Sequence, residues 1–308
     1  MASATSTHTS SPKVLLSGDA DGDNKIHMWE VLDIDNMDKS LPLPTPSDDK
    51  STIEPPYRLP FMICSLDVNS LNFCQASFSR NIISCSGQDE LLLAVPGLIG
   101  NDHIDLYSLP SAHRLATRII APAPAKGKLG NVMAVDLQYP LLCVGYENGA
   151  VAIFELNLEM VDRSLQKQDG KWDCMAIWHA HRDAVLSVTL NTTTSEIYSC
   201  GIDSRLIRYT FDTTRARLDS RDSYHVIETR HSGQQSMRMR SDQKLLGTAG
   251  WDSYARIYTT SKLKQVAVLG FHKAAINAID FQEKTDQGEE GVVALGSKDA
   301  KISLWKLY

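Results

Sequence analysis

Four acidic residues near the start of the chain, Asp19, Asp21, Asp23 and Glu30, fall at positions 1, 3, 5 and 12 of a twelve-residue loop. With that spacing, alternating carboxylates and a closing glutamate wrap a calcium ion. Two departures count against it: the sharp-turn position that demands glycine is Asn24, and position 9 is His27. The flanks lack the helices that aim such a loop, and Ile26, Met28 and Trp29 fit a strand instead. His179 and His181 could offer two imidazoles to a metal, but alternate strand residues merely share a side, and no third ligand accompanies them. Neither a metal nor a cofactor is expected. Six cysteines (Cys64, Cys74, Cys85, Cys143, Cys174, Cys200) form no C-x-x-C pair, which reads as reduced, mostly buried thiols in a nuclear or cytosolic protein. No nucleophile elbow, phosphate loop or dinucleotide fingerprint occurs. An enzyme with a central pocket, a hydrolase or isomerase, is the alternative to a non-enzymatic protein, and no catalytic motif supports it.

The elements that would position these groups repeat. Six times an Asp or Asn is followed six positions later by an aromatic residue: Asp23 and Trp29, Asn101 and Tyr107, Asn148 and Phe154, Asp203 and Tyr209, Asp252 and Tyr258, Asp299 and Trp305. Between them apolar residues alternate, as in Val151/Ile153 and Ile302/Leu304, which marks a strand with one buried face. Asp or Asn at the head fits a tight turn, since both tolerate left-handed backbone and bond their own main chain. A strand ending in small residues precedes each turn, as in Tyr198-Ser199-Cys200-Gly201 and Leu246-Gly247-Thr248-Ala249-Gly250. Two copies open on a histidine, His181 and His272, three residues before Ala184 and Ala275. Histidine, strand, small-residue strand, turn acid and aromatic is the order of a WD repeat, so the expected fold is an all-β propeller.

Aromatic-to-aromatic spacings of 47, 55, 49 and 47 residues match propeller blades with variable loops. The first spacing, 78, holds a segment at 32–60 with six prolines and six acids against three bases, expected to be a disordered insertion. Residues 1–12, rich in Ser and Thr, read as a disordered N-terminus, and 13–308 as the propeller. Six blades suit the remaining length better than seven, and a strand around Lys13 to Leu16 is expected to complete or adjoin the last sheet. With 31 basic and 37 acidic residues, the net charge of −6 argues against a surface that coats nucleic acid. No apolar stretch approaches the ~20 residues of a membrane helix.

The chain resembles the ASTRA-associated WD-repeat family, the fungal relatives of the animal G-protein β-subunit-like protein. The segments that carry the resemblance are Leu15 to Gly22, Ser70 to Cys74, Leu93 to Pro96, Gly250-Trp251-Asp252 and the tail from Ala267 to Trp305. The resemblance implies a non-enzymatic scaffold in a multiprotein assembly, linked with chromatin remodelling and with the TTT cochaperone of phosphatidylinositol-kinase-related kinases. It implies a nuclear, and also cytoplasmic, location. Family members carry a further blade where Gly22 here abuts Asp23, so the family pattern suggests seven blades with one missing near residue 22.

His181 and His272 are expected to hydrogen-bond the turn acids Asp203 and Asp299 inside their blades. The resemblance implies that Ser199 or Thr248 extends such networks. Asp23, Asn101, Asn148 and Asp252 take the same structural turn position. Trp251 precedes its turn acid where the counterparts are Ile202 and Lys298, so the repeat does not require an aromatic there. Alternation and the resemblance place it near the rim of one face. Two readings follow, a protein-binding anchor or a ring packed into an adjacent blade.

Overall fold

The computed structural model describes residues 13–19, 24–31, 61–69, 74–79, 91–157, 171–212, 224–282 and 291–307. The expected disordered segments, 1–12 and 32–60, lie outside these residues, as do Asp21 and Asp23. Every regular element among the described residues is a strand. They form six antiparallel sheets, each a meander of consecutive strands. The first holds β1 (Lys13–Asp19), β2 (Lys25–Val31) and β3 (Phe61–Asp67). The second holds β4 (Ser77–Ser79), β5 (Leu91–Pro96), β6 (Ile104–Leu109) and β7 (His113–Ile119). The third holds β8 (Val132–Gln138), β9 (Leu141–Tyr146), β10 (Ala150–Asn157) and β11 (Lys171–His179). In the fourth are β12 (Val185–Asn191), β13 (Glu196–Gly201), β14 (Arg205–Thr210) and β15 (Tyr224–Glu228). The fifth comprises β16 (Gln234–Met239), β17 (Leu245–Gly250), β18 (Tyr254–Thr259) and β19 (Gln265–Gly270), and the sixth β20 (Ile276–Phe281), β21 (Val292–Ser297) and β22 (Ile302–Lys306).

Successive sheets stack through their inner strands, β4 on β8, β8 on β12, β12 on β16 and β16 on β20. The second to fifth sheets are apolar on both faces because each face meets a neighbour. Between the third and fourth sheets, Cys143, Val151, Ile153 and Trp178 pack on Val188, Ile197, Ile207 and Tyr209. Between the fourth and fifth, Tyr198, Cys200 and Leu206 meet Met237, Leu246 and Tyr258. Between the fifth and sixth, Ala255, Ile257 and Leu269 meet Ile279, Val293 and Leu295. The first sheet joins the second through Ile26, Met28 and Leu66 against Leu93, Val95 and Tyr107.

Two expectations need correction. The N-terminal strand neither completes nor extends the last sheet. β1 pairs along its whole length with β2, Lys13 opposite Val31 and Asp19 opposite Lys25, because the short turn between them favours a local hairpin over a long-range edge. That register also separates the calcium-like acids. Asp19 and Glu30 sit at opposite ends of the hairpin, five residues or ~17 Å apart along the strand. The second correction concerns the turns. The turn Asp or Asn is not itself left-handed. The positive φ falls one residue later, at Asn24, Gly149, Ser253 and Ala300. The acid or amide works through its side chain instead, accepting the amide two residues on: Ala150 N at 3.0 Å from Asn148, Arg205 N at 3.2 Å from Asp203, Tyr254 N at 3.3 Å from Asp252.

Gly149 shows how tightly these turns meet the next sheet. Its φ is +83°, and a Cβ there would lie 2.7 Å from the His181 carbonyl oxygen and 3.0 Å from that of Asp183. Gly149→Ala therefore incurs both the left-handed penalty and a backbone clash, costing about 2 kcal/mol. Thermal melting checks this, and an unchanged midpoint would show that the turn does not brace the fourth sheet.

Candidate protein-interaction surface

The turn acids and histidines gather at one end of the sheets. In the fourth sheet His181, whose side chain is wholly buried, donates from Nδ1 to Asp203 Oδ1 at 2.8 Å. Its Nε2 lies 2.6 Å from Ser199 Oγ, which lies 3.1 Å from Tyr209 Oη. Asp203 also accepts the Arg182 amide at 2.8 Å. Burial alone would raise the Asp203 pKa, but the His181 hydrogen bond and the Arg182 and Arg205 amides outweigh it and hold the carboxyl below its ordinary value. Ser, His and Asp in this order have the contacts of a hydrolase triad. The resemblance ends at access. Ser199 is fully buried, and Tyr209 covers its hydroxyl, so no acyl group can reach it.

The sixth sheet repeats the arrangement from a different strand. His272 Nδ1 is 3.1 Å from both Asp299 oxygens, and its Nε2 is 2.9 Å from Ser303 Oγ. Ser303 lies on β22, two strands from β20, whereas Ser199 lies on β13. Despite the desolvation that opposes it, the Lys273 amide and His272 hold Asp299 down at about 2.

The fifth sheet breaks the pattern. Its opening histidine, His231, has both ring nitrogens buried without a hydrogen-bond partner. Arg256, four residues after the turn acid, takes the histidine's role with a bidentate pair to Asp252 at 3.1 and 2.7 Å. Burial and then the nearby Arg256 charge lower the His231 pKa and keep it neutral, while Asp252 pulls the other way. Because Arg256 and not a histidine holds Asp252, Thr248 extends no histidine network here.

In the second sheet Asn101 accepts the Asn69 side-chain amide at 2.5 Å, and its carbonyl accepts the Val132 amide, tying three sheets together. A histidine not marked by the repeat, His103, is buried there against Asp102 at 2.8 Å. Its signal lay outside the histidine-then-alanine spacing, since it follows its turn residue. Of the metal-like pair, His179 is exposed and His181 is committed to Asp203. Among the described residues no three His, Cys, Asp or Glu converge as a metal site.

Trp251 lies beside Gln235, which lines the space between the inner strands. Its amide donates to the Gly233 carbonyl, and its indole N–H donates to Gln235 Oε1 at 3.0 Å. Its ring covers Gly233, where a Cβ would come within 2.1 Å of it. The ring thus packs on its own sheet, on the loop before β16, and still leaves 44% of the residue exposed. Tyr254 and Phe271 are exposed nearby, Tyr254 lying against Gly270 with the Arg256 guanidinium 5.7 Å from its centroid. Lys301 stands 5.8 Å over Phe271. An aromatic rim with cations interleaved is the composition of a protein-binding surface.

Deeper in, inner-strand residues line a channel of about 130 Å³, including Met133, Leu186, Gln235 and Asn277. At its far end a cavity of about 310 Å³ is lined by Asp136, Thr189, Arg238 and Gln243. Asp136 is the one carboxylate there, and its oxygens are spent: Leu190 N donates at 2.7 Å, Gln138 Nε2 at 3.3 Å and Ser77 Oγ at 3.5 Å. Burial raises its pKa even so.

Six consecutive meander sheets, with each described turn acid or amide heading a third strand, make this chain a WD-repeat β-propeller. No protein-family model matches it. The chain is 29% identical over 325 positions to ASTRA-associated protein 1 of Verticillium alfalfae, covering 93% of this chain and 75% of that protein. It is 35% identical over 252 positions to the protein of the same name in Schizosaccharomyces pombe, covering 78% and 66% of the two. A mouse protein named guanine nucleotide-binding protein subunit beta-like protein 1 is 29% identical over 79% of this chain. The chain is thus similar, over most of its length, to several fungal proteins named ASTRA-associated protein 1.

Proposed function

We propose that the chain is a non-enzymatic scaffold that associates with the ASTRA assembly through its propeller surface. The observation that carries this reading is the 35% identity with the fission-yeast ASTRA-associated protein across 78% of the chain. The buried Ser199 and the hydrogen-bonded oxygens of Asp136 support it, because among the described residues neither of these groups is a reachable nucleophile or a free base. Within that assembly the chain serves chromatin remodelling and the TTT-linked maturation of phosphatidylinositol-kinase-related kinases, in the nucleus and also in the cytoplasm. Its partners are protein subunits, not nucleic acid or membrane.

Affinity purification of the tagged chain, followed by mass spectrometry, tests the reading. Recovery of ASTRA and TTT subunits supports it, and a reproducible monomer with no partners refutes it. Trp251→Ala in the same experiment is expected to weaken one partner by ~2 kcal/mol, about thirtyfold, with melting unchanged. A loss of stability of the same size instead assigns the ring to packing on Gly233 alone.

A further inference from the structure

In the second to fifth sheets, one face of the third strand presses on the sheet that follows. The positions three residues after the turn residue are Ile104, Val151, Leu206 and Ala255, and all four are fully buried. The same position in the sixth sheet is Ile302, 77% exposed, and its neighbour on that face, Leu304, is 71% exposed. Across the sheet Ile302 lines up with Gly296 and Ala278, and Leu304 with Ala294 and Asp280, so two large apolar side chains flank a shallow floor of small ones.

The edge beside them is open as well. The second to fifth sheets have four strands, and the sixth has three among the described residues. Ser297 N donates to Lys301 O and Leu307 N to Gly291 O. Odd-numbered positions of β22 therefore bond inward, and the main-chain groups of Ile302, Leu304 and Lys306 point away from the sheet. Among the described residues two exposed lysines, Lys298 and Lys301, flank the start of this edge, and the acid between them, Asp299, is engaged by His272.

We propose that the β22 edge captures an extended, acidic segment of another protein as a fourth strand. The incoming main chain pairs with the outward groups of Ile302 and Leu304. Its alternate apolar side chains cover Ile302 and Leu304, and its acidic ones meet the lysines. This site stands apart from the assembly reading, and its test needs only the purified chain.

The probe is a labelled ten-residue peptide alternating valine and glutamate, with a valine–lysine peptide as control, titrated by fluorescence anisotropy. The acidic peptide is expected to bind at least tenfold more tightly than the basic one. Binding should slow hydrogen exchange at the amides of Ile302 and Leu304. Leu304→Pro removes an outward N–H while leaving the bonds to β21, and is expected to lower affinity at least tenfold. Because proline could disturb the sheet, Lys298→Glu/Lys301→Glu provides a second variant, which should invert the preference between the two peptides. Equal binding of both peptides overturns the proposal. So does protection of the Ile302 and Leu304 amides before peptide is added, which would mean that the chain or a second copy already covers the edge.

Discussion

Trp178→Ala is expected to cost about 4 kcal/mol, enough to abolish folding at physiological temperature if the parent has ordinary stability. Trp178 stands on β11, opposite Val151, and is 1% exposed. Its ring meets that of Tyr209 with centroids 5.0 Å apart, across the junction of the third and fourth sheets. The surrounding Val188, Ile197 and Ile207 sit on strands pinned by their own ladders, so they cannot collapse into the space that the indole leaves. The expected result is a fall of several degrees in melting temperature, or loss of soluble protein. Trp178→Phe keeps a ring against Tyr209 and should recover roughly half of the loss. A melting midpoint within error of the parent for Trp178→Ala would mean that this junction contributes little to stability.

Asp203→Ala comes next, at about 3 kcal/mol. The substitution strips a hydrogen bond from the buried His181 and leaves the amides of Arg182 and Arg205 without their acceptor. Asp203→Asn keeps one acceptor oxygen but aims an N–H at a donor, so it should fall between alanine and the parent. The acid dependence has a definite sign. The folded Asp203 pKa lies below its unfolded value, near ~3.9, so the stabilisation is full above about pH 4 and fades as the pH drops through the lower, folded value. Denaturant melts of parent and variant should be furthest apart at neutral pH and converge below about pH 4. A gap that stays constant with pH would mean that the Asp203 charge plays no part.

The six aromatic-bearing repeat strands were legible because period-two alternation and a turn acid are local signals, held within seven residues. Partner choice was not, because it is decided across strands. Asp252 reads like Asp203 in sequence, yet it takes Arg256 because a guanidinium four residues on reaches it and displaces His231. The six-residue rule that found Tyr209 passed over Trp178, since fourth strands carry no turn acid. Trp251 was singled out by its mismatch with Ile202 and Lys298, but its seat on Gly233 depends on the loop before β16, which no spacing rule reaches. The hairpin of β1 with β2 was missed because the repeat grammar looked for a partner at the far end of the chain.

Asp136 has a mechanical consequence. One carboxylate on β8 accepts a hydroxyl proton from Ser77 on the sheet before and an amide proton from Leu190 on the sheet after, and feels the Arg238 charge on the sheet beyond that. Ser77 in turn accepts the Leu137 amide, and Gln138 donates to the Leu190 carbonyl. Peeling the second or the fourth sheet from the third leaves a buried carboxyl group short of donors. The second, third and fourth sheets therefore open together or not at all, as one cooperative unit, and unravelling starts from the first and sixth sheets, which have three strands each among the described residues.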